Sequence, residues 1–82
     1  MSANVWDRAI REGRRIDHAD CVSAGDFVFL SGPRTVIAFQ AVHVTRQDDI
    51  ILLSPNAVRS YQLGGASQLR FEFALRVNEG VQ

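Results

Sequence analysis

The chain contains no lysine. All nine of its basic side chains are arginine, and nine acidic side chains balance them to a formal net charge of zero. That balance excludes a simple polybasic nucleic-acid binder. It also leaves little electrostatic protection against self-association near neutral pH. There is one cysteine, Cys21, so no intrachain disulfide can form. The longest apolar runs are Phe27 to Leu30, Val36 to Phe39 and Ile50 to Leu53. None approaches the roughly 20 residues that a helical membrane span needs. The amino-terminal stretch lacks the apolar centre of about 7–15 residues that marks a signal peptide. A cytoplasmic location and no membrane contact are therefore the expectation. No internal repeat, low-complexity tract or linker interrupts the chain, so one domain is expected over residues 1–82.

What is present is an ordinary globular composition, 46% apolar, in a chain of 82 residues and 9.1 kDa. Such a chain buries only roughly 60–65% of its unfolded surface, near the lower limit for folding alone.

Residues from about 4 to 16 read as a helix. Asn4 is a suitable cap, with Asp7 three residues on. Val5, Trp6, Ala9 and Ile10 recur at helical spacing, with Ile16 as a further member of that face. Asp7 with Arg11, and Arg8 with Glu12, are opposite charges four residues apart, each pair worth about 0.2–0.5 kcal/mol. Gly13 should weaken the second half of this helix.

From about residue 26 to 77 the texture is β-rich. Phe27 to Leu30 forms one run, stopped by Ser31-Gly32-Pro33. Thr35 to Thr45 is a long β-branched segment that is apolar on both faces. A strand of that kind is either central in a closed barrel or pressed against a partner chain. Arg46-Gln47-Asp48 is a turn, Asp49 to Ser54 a third strand, and Val58 to Leu63 a fourth. Gly64 to Ser67 reads as a flexible connection. In the last segment Leu69, Phe71, Phe73, Leu75 and Val77 alternate with Gln68, Arg70, Glu72, Ala74 and Arg76. This period of two predicts one buried and one wet face.

The expected fold is therefore mainly β with one N-terminal α-helix: a small five-stranded barrel or a strongly bent antiparallel sheet.

Three constellations carry potential chemistry. Asp17-His18-Ala19-Asp20-Cys21, joined by His43, offers carboxylate, imidazole and thiol ligands. His18, Cys21 and His43 are thus the metal or Cys–His candidates, although the repeated spacing of known zinc sites is missing. The plainer reading is a polar helix exit in which Cys21 packs as a small hydrophobe. Arg8, Arg11 and Arg15 share a helical stripe suited to phosphate or an acidic protein. Asp7, Glu12, Asp17 and Asp20 nearly cancel that charge, so nucleic acid is a partner only if repeated copies align their arginines. Tyr61, flanked by Arg59 and Gln62, is the candidate stacking residue for a base. Trp6, Ile37 and Phe39 are the candidates for contact between copies. No cofactor is expected.

The order of elements, a helix and then short strands with a long bent second one, is similar to the Sm-like family of RNA-binding rings, whose fold is an SH3-like barrel. The segment Val44 to Leu53 shares the texture of an acidic residue before an apolar strand. The loop after Phe29-Leu30-Ser31-Gly32 is longer than in that family, and Gly64-Gly65 replaces its basic, histidine-bearing segment. Ala24 to Gly32 resembles a strand of imine-deaminase-type trimers over nine residues. The chain is assigned to neither family. The expected function is a non-catalytic assembly or protein-interaction module forming a β-rich homo-oligomer. The alternatives are a ring that binds RNA or single-stranded nucleic acid through arginines, and a small metal- or thiol-dependent enzyme.

Overall fold

A computed structural model describes residues 4–63 and 68–77. Helix α1 spans Asn4–Glu12, and a single 3-10 turn spans Ala19–Cys21. Seven strands follow in chain order: β1 (Arg14–Ile16), β2 (Phe27–Ser31), β3 (Val36–Gln40), β4 (His43–Gln47), β5 (Ile50–Ser54), β6 (Tyr61–Leu63) and β7 (Arg70–Arg76). They form two antiparallel sheets, one ordered β1-β7-β2-β3 and the other β4-β5-β6. The fold is mainly β with one helix, and the two sheets do not close into a barrel.

The helix stops four residues earlier than its periodicity suggests. The Gly13 N–H still bonds the Ala9 carbonyl at 2.8 Å, but a Cβ at Gly13 would lie 2.3 Å from that oxygen and 3.1 Å from the Leu75 Cβ. Glycine is therefore the device that lets the chain turn out of the helix against β7, rather than a weak spot within it. Arg14–Ile16 then pair with Arg76–Ala74 as a short edge strand. The cap expected from Asn4 involves a side chain outside the described residues.

Only the centre of the helix's apolar arc meets the sheet. Ala9 is fully buried and Trp6 half-buried, whereas Val5 and Ile10 flank them and remain largely exposed. Nine residues and a small alanine at the contact make too narrow a ridge to cover all four.

The segment Thr35 to Thr45 is two strands, not one. The Ala41 N–H donates to the Asp26 carbonyl at 2.9 Å beside β2, and the next amide, Val42, donates to the Ser54 carbonyl at 2.7 Å beside β5. The chain thus passes from one sheet to the other at Ala41–Val42, and the inward face changes parity. Ile37, Phe39 and Ala41 face the core before the crossing and Val44 after it. This explains why the segment looks apolar on both faces, although β3 and β4 are each at an edge.

The last strand also departs from simple alternation. Phe29 pairs with Phe73, but the next residue, Leu30, pairs with Phe71, so Glu72 is a β-bulge. Leu69 and Phe71 pack into the core between the sheets. Beyond the bulge Phe73 faces the helix side instead, and Ala74, expected on a wet face, is fully buried. The core between the sheets joins Ile16, Val28, Leu30, Phe39 and Ala74 to Ile51, Leu53 and Leu63, together with the fully buried Val22 and Ala41. Strand six begins at Tyr61 rather than Val58, because Asn56 Oδ1 accepts the Val58 and Arg59 amides at 2.8 and 3.0 Å and holds that stretch as a turn. The Gly64–Ser67 connection lies outside the described residues.

Candidate interaction surface

The four-stranded sheet has a second face, turned away from the core. Trp6 reaches it from the helix and meets Phe27 and Phe29 edge-on, with ring centroids 4.8 and 5.8 Å apart. Phe29 stacks on Phe73 across β2 and β7 at 4.6 Å. The Arg15 guanidinium lies 4.4 Å over the Phe73 ring, and Ser31 Oγ donates to Glu72 Oε2. Across the ladder, Val36, Ala38 and Gln40 of β3 stand opposite Ser31, Phe29 and Phe27. Directly opposed residues in an antiparallel pair share a face, so these three extend the aromatic row to the sheet edge. The helix reaches Phe27 and buries it to 4% exposure, but it leaves Val36 at 77%. This face is closed at one end and open at the other.

The edge beside it is unguarded. Natural sheet edges are usually blunted by charge, proline, bulges or shortness. The β1 edge is three residues with Arg14 and Arg15, the β6 edge is three residues, and the β4 edge carries Arg46. The β3 edge, Val36-Ile37-Ala38-Phe39-Gln40, carries no charge.

The opposite, polar end of the molecule is closed on itself. Asp26 is 2% exposed. Its Oδ1 accepts Arg76 Nε at 2.9 Å, and its Oδ2 accepts Arg76 Nη2 and the Ser23 N–H, both at 2.8 Å. Arg76 Nη2 also donates to the Cys21 carbonyl at 2.7 Å. Its pKa is raised, chiefly by the hydrogen bond to Asp26; burial opposes this and the carboxylate charge adds to it. Arg46 Nη2 donates to the carbonyls of Asp20, at 2.8 Å, and Val22. Two arginines thus hold the carbonyls around the 3-10 turn, and no buried side-chain polar atom among the described residues lacks a partner.

The clamp holds the backbone of the patch that is most reactive in appearance from the sequence, not its reactive side chains. The His18 carbonyl accepts the Cys21 amide at 2.9 Å to close the turn, and the Cys21 side chain is exposed rather than packed. His43 lies exposed on β4. Among the described residues no group of three or more His, Cys, Asp or Glu side chains could hold a metal ion. A shallow recess between Asp20, Arg46 and the β4–β5 turn at Asp48-Asp49 is lined on one side by Ile50 and Ile51.

The arginines and Tyr61 do not converge. Arg8 pairs with Glu12 at 3.4 Å, Arg11 donates to the Asp7 carbonyl, and Arg15 pairs with Asp17 at 2.6 Å. Arg59 lies in the loop after β5, in the other sheet, where its carbonyl accepts Ser54 Oγ. Tyr61 is half-buried and stacked on Phe39 at 5.0 Å, so one face of its ring is already occupied. Of the three residues expected at a contact between copies, Trp6 lies on the outer aromatic face, while Ile37 and Phe39 turn into the core. Their neighbours Val36, Ala38 and Gln40 are the exposed members of that strand.

Sequence reasoning missed Asp26, Arg76 and Arg46. Asp26 stands only at the start of the β-rich segment and Arg76 on its wet face, and nothing in a spacing of fifty residues ties the two together. No family model, curated protein or solved structure matches the chain. Among the described residues no helix is long and apolar enough to cross a membrane.

Proposed function

We propose that this protein is a non-catalytic self-association module, whose working form is a homo-oligomer. The observation that carries the reading is the outer face of the four-stranded sheet, where a half-covered aromatic row runs into an uncharged, exposed edge strand. Exposed apolar surface beside a free edge is the combination that isolated soluble domains normally suppress. A zero net charge removes the long-range repulsion that would keep copies apart. The polar groups give no comparable support to a chemical role: the buried carboxylate of Asp26 is taken up by Arg76, and Arg46 and Arg76 are engaged on the backbone carbonyls around the 3-10 turn.

Native mass spectrometry and light scattering of the full chain under reducing conditions test the reading; the reductant prevents exposed Cys21 from cross-linking copies. A discrete oligomer that persists at low micromolar concentration is expected. A monomer across the whole accessible range overturns the proposal. Nucleic acid co-purifying in fixed ratio with an oligomer would instead favour a ring that gathers arginines from several copies, with binding that weakens steeply as salt rises.

A further inference from the structure

We infer that two copies join edge to edge, with the β3 strands antiparallel and the two-fold axis passing at Ala38. This deepens the self-association reading and rests on it. The backbone supports a particular register. In an antiparallel ladder, residues alternate between those whose N–H and C=O turn toward the neighbour and those whose groups turn away. The Gly32 N–H donates to the Thr35 carbonyl at 2.8 Å, and the Ala41 N–H donates to the Asp26 carbonyl at 2.9 Å. These bonded pairs are an even number of residues apart on both strands. The bonded positions between them are therefore Leu30 with Ile37 and Val28 with Phe39. Ile37 and Phe39 spend their amides on β2, whereas Val36, Ala38 and Gln40 present theirs to the open edge.

A two-fold axis at Ala38 places Ala38 opposite its own copy and Val36 opposite the partner's Gln40. Each outward N–H and C=O of these three residues then finds a partner, and shifting the strands either way leaves some unpaired. The side chains agree with the backbone. Alanine, the smallest of the three, sits where the strand meets itself, and Val36 packs beside the aliphatic stem of Gln40. No charged side chain lies within the paired length, so no like charges are opposed. The two four-stranded sheets become one sheet of eight strands, within the range that twisted open sheets tolerate. The aromatic rows of both copies lie on the same side of it.

The test compares the wild-type chain with Ala38→Pro and Ala38→Lys. Proline at residue 38 removes only an outward amide and breaks no bond to β2; lysine keeps the amide and puts a charge at the axis. Each should raise the dimer dissociation constant about ten- to a hundredfold, as expected for losing a pair of net-favourable hydrogen bonds or opposing two cations. Thr45→Lys, at the edge of the other sheet, should leave the dimer unchanged. Hydrogen exchange should show the amides of Val36, Ala38 and Gln40 protected in the wild type and released in Ala38→Lys. If Ala38→Pro fails to fold by circular dichroism, Ala38→Lys decides. An oligomer that both variants leave intact overturns the β3 pairing while self-association stands. A wild-type monomer overturns both.

Discussion

The two ends of the four-stranded sheet handle surface chemistry in opposite ways. At one end Asp26, Arg76 and Arg46 bring buried and half-buried polar groups together and satisfy them within the chain. At the other end Val36 and Ala38 leave apolar side chains, and by alternation of the ladder a row of backbone groups, without a partner among the described residues. From the sequence the polar end is the conspicuous one, because Asp17 to Cys21 is dense in reactive residue types, while the apolar end reads as an ordinary strand. The structure reverses the emphasis. Polar groups whose bonds are made inside the molecule, as those of Asp26, Arg76 and Arg46 are, stabilise it, and groups that remain unmatched are those free to act on a partner.

Variants at each end should separate stability from assembly. Arg76→Leu should have the largest effect on folding. It strips the guanidinium from a carboxylate that is almost fully buried, and we expect a loss of about 3 kcal/mol by urea unfolding, a buried-pair value moderated by the partial exposure of Arg76. The double variant Asp26→Asn, Arg76→Leu, which removes the buried charge and keeps an acceptor for the Ser23 N–H, should recover part of it, and a double variant as unstable as the single one would contradict the pairing account. The pair should survive alkali: because the Arg76 pKa is raised, its stabilising share is complete below the ordinary arginine value and is lost only as pH climbs through the higher folded value.

Trp6→Ala should come next. It removes the ring that ties the helix to Phe27 and Phe29, and we expect about 2 kcal/mol by thermal or urea unfolding, less than for a fully buried tryptophan. Unlike the clamp variant it also uncovers more of the aromatic face, so increased binding of a hydrophobic dye to the folded state should accompany it. Unaltered stability would mean that the helix is held by something other than Trp6.

Asp49→Gly should have the smallest effect and the opposite sign. Asp48 and Asp49 form the two-residue β4–β5 turn with φ of 52° and 66°, the left-handed region at both positions. A turn of this type favours glycine at its second residue, so the substitution should stabilise the fold by about 0.5–1 kcal/mol. Neither oligomer mass nor hydrogen exchange at β3 should change, since the turn belongs to the other sheet. A coupled change in assembly would erase the division between the two regions.

Much of the architecture is legible before any coordinates. The helix onset, the strand at Phe27, the turns at Gly32-Pro33 and around Asp48, and the apolar strand at Ile50 all follow from periodicity and turn residues over short windows. Apart from the start of β6, which the local Asn56 turn sets, the larger errors share one cause. Gly13 ends the helix because β7 lies against it; Thr35 to Thr45 divides because it changes sheets at Ala41; Glu72 bulges because β2 and β7 differ locally in length. Each depends on a neighbour distant in sequence.

The same division holds for the proposed surface. That β3 is apolar, uncharged and flanked by a tight turn can be read from its own residues, because composition is local. That this strand lies at an edge with one side open, and that Ile37 and Phe39 turn inward while Val36 and Ala38 turn out, is settled by the packing of the whole chain. Which face is buried and which edge is left unpaired are properties of the partner across the ladder, and no window of the strand's own residues contains that partner.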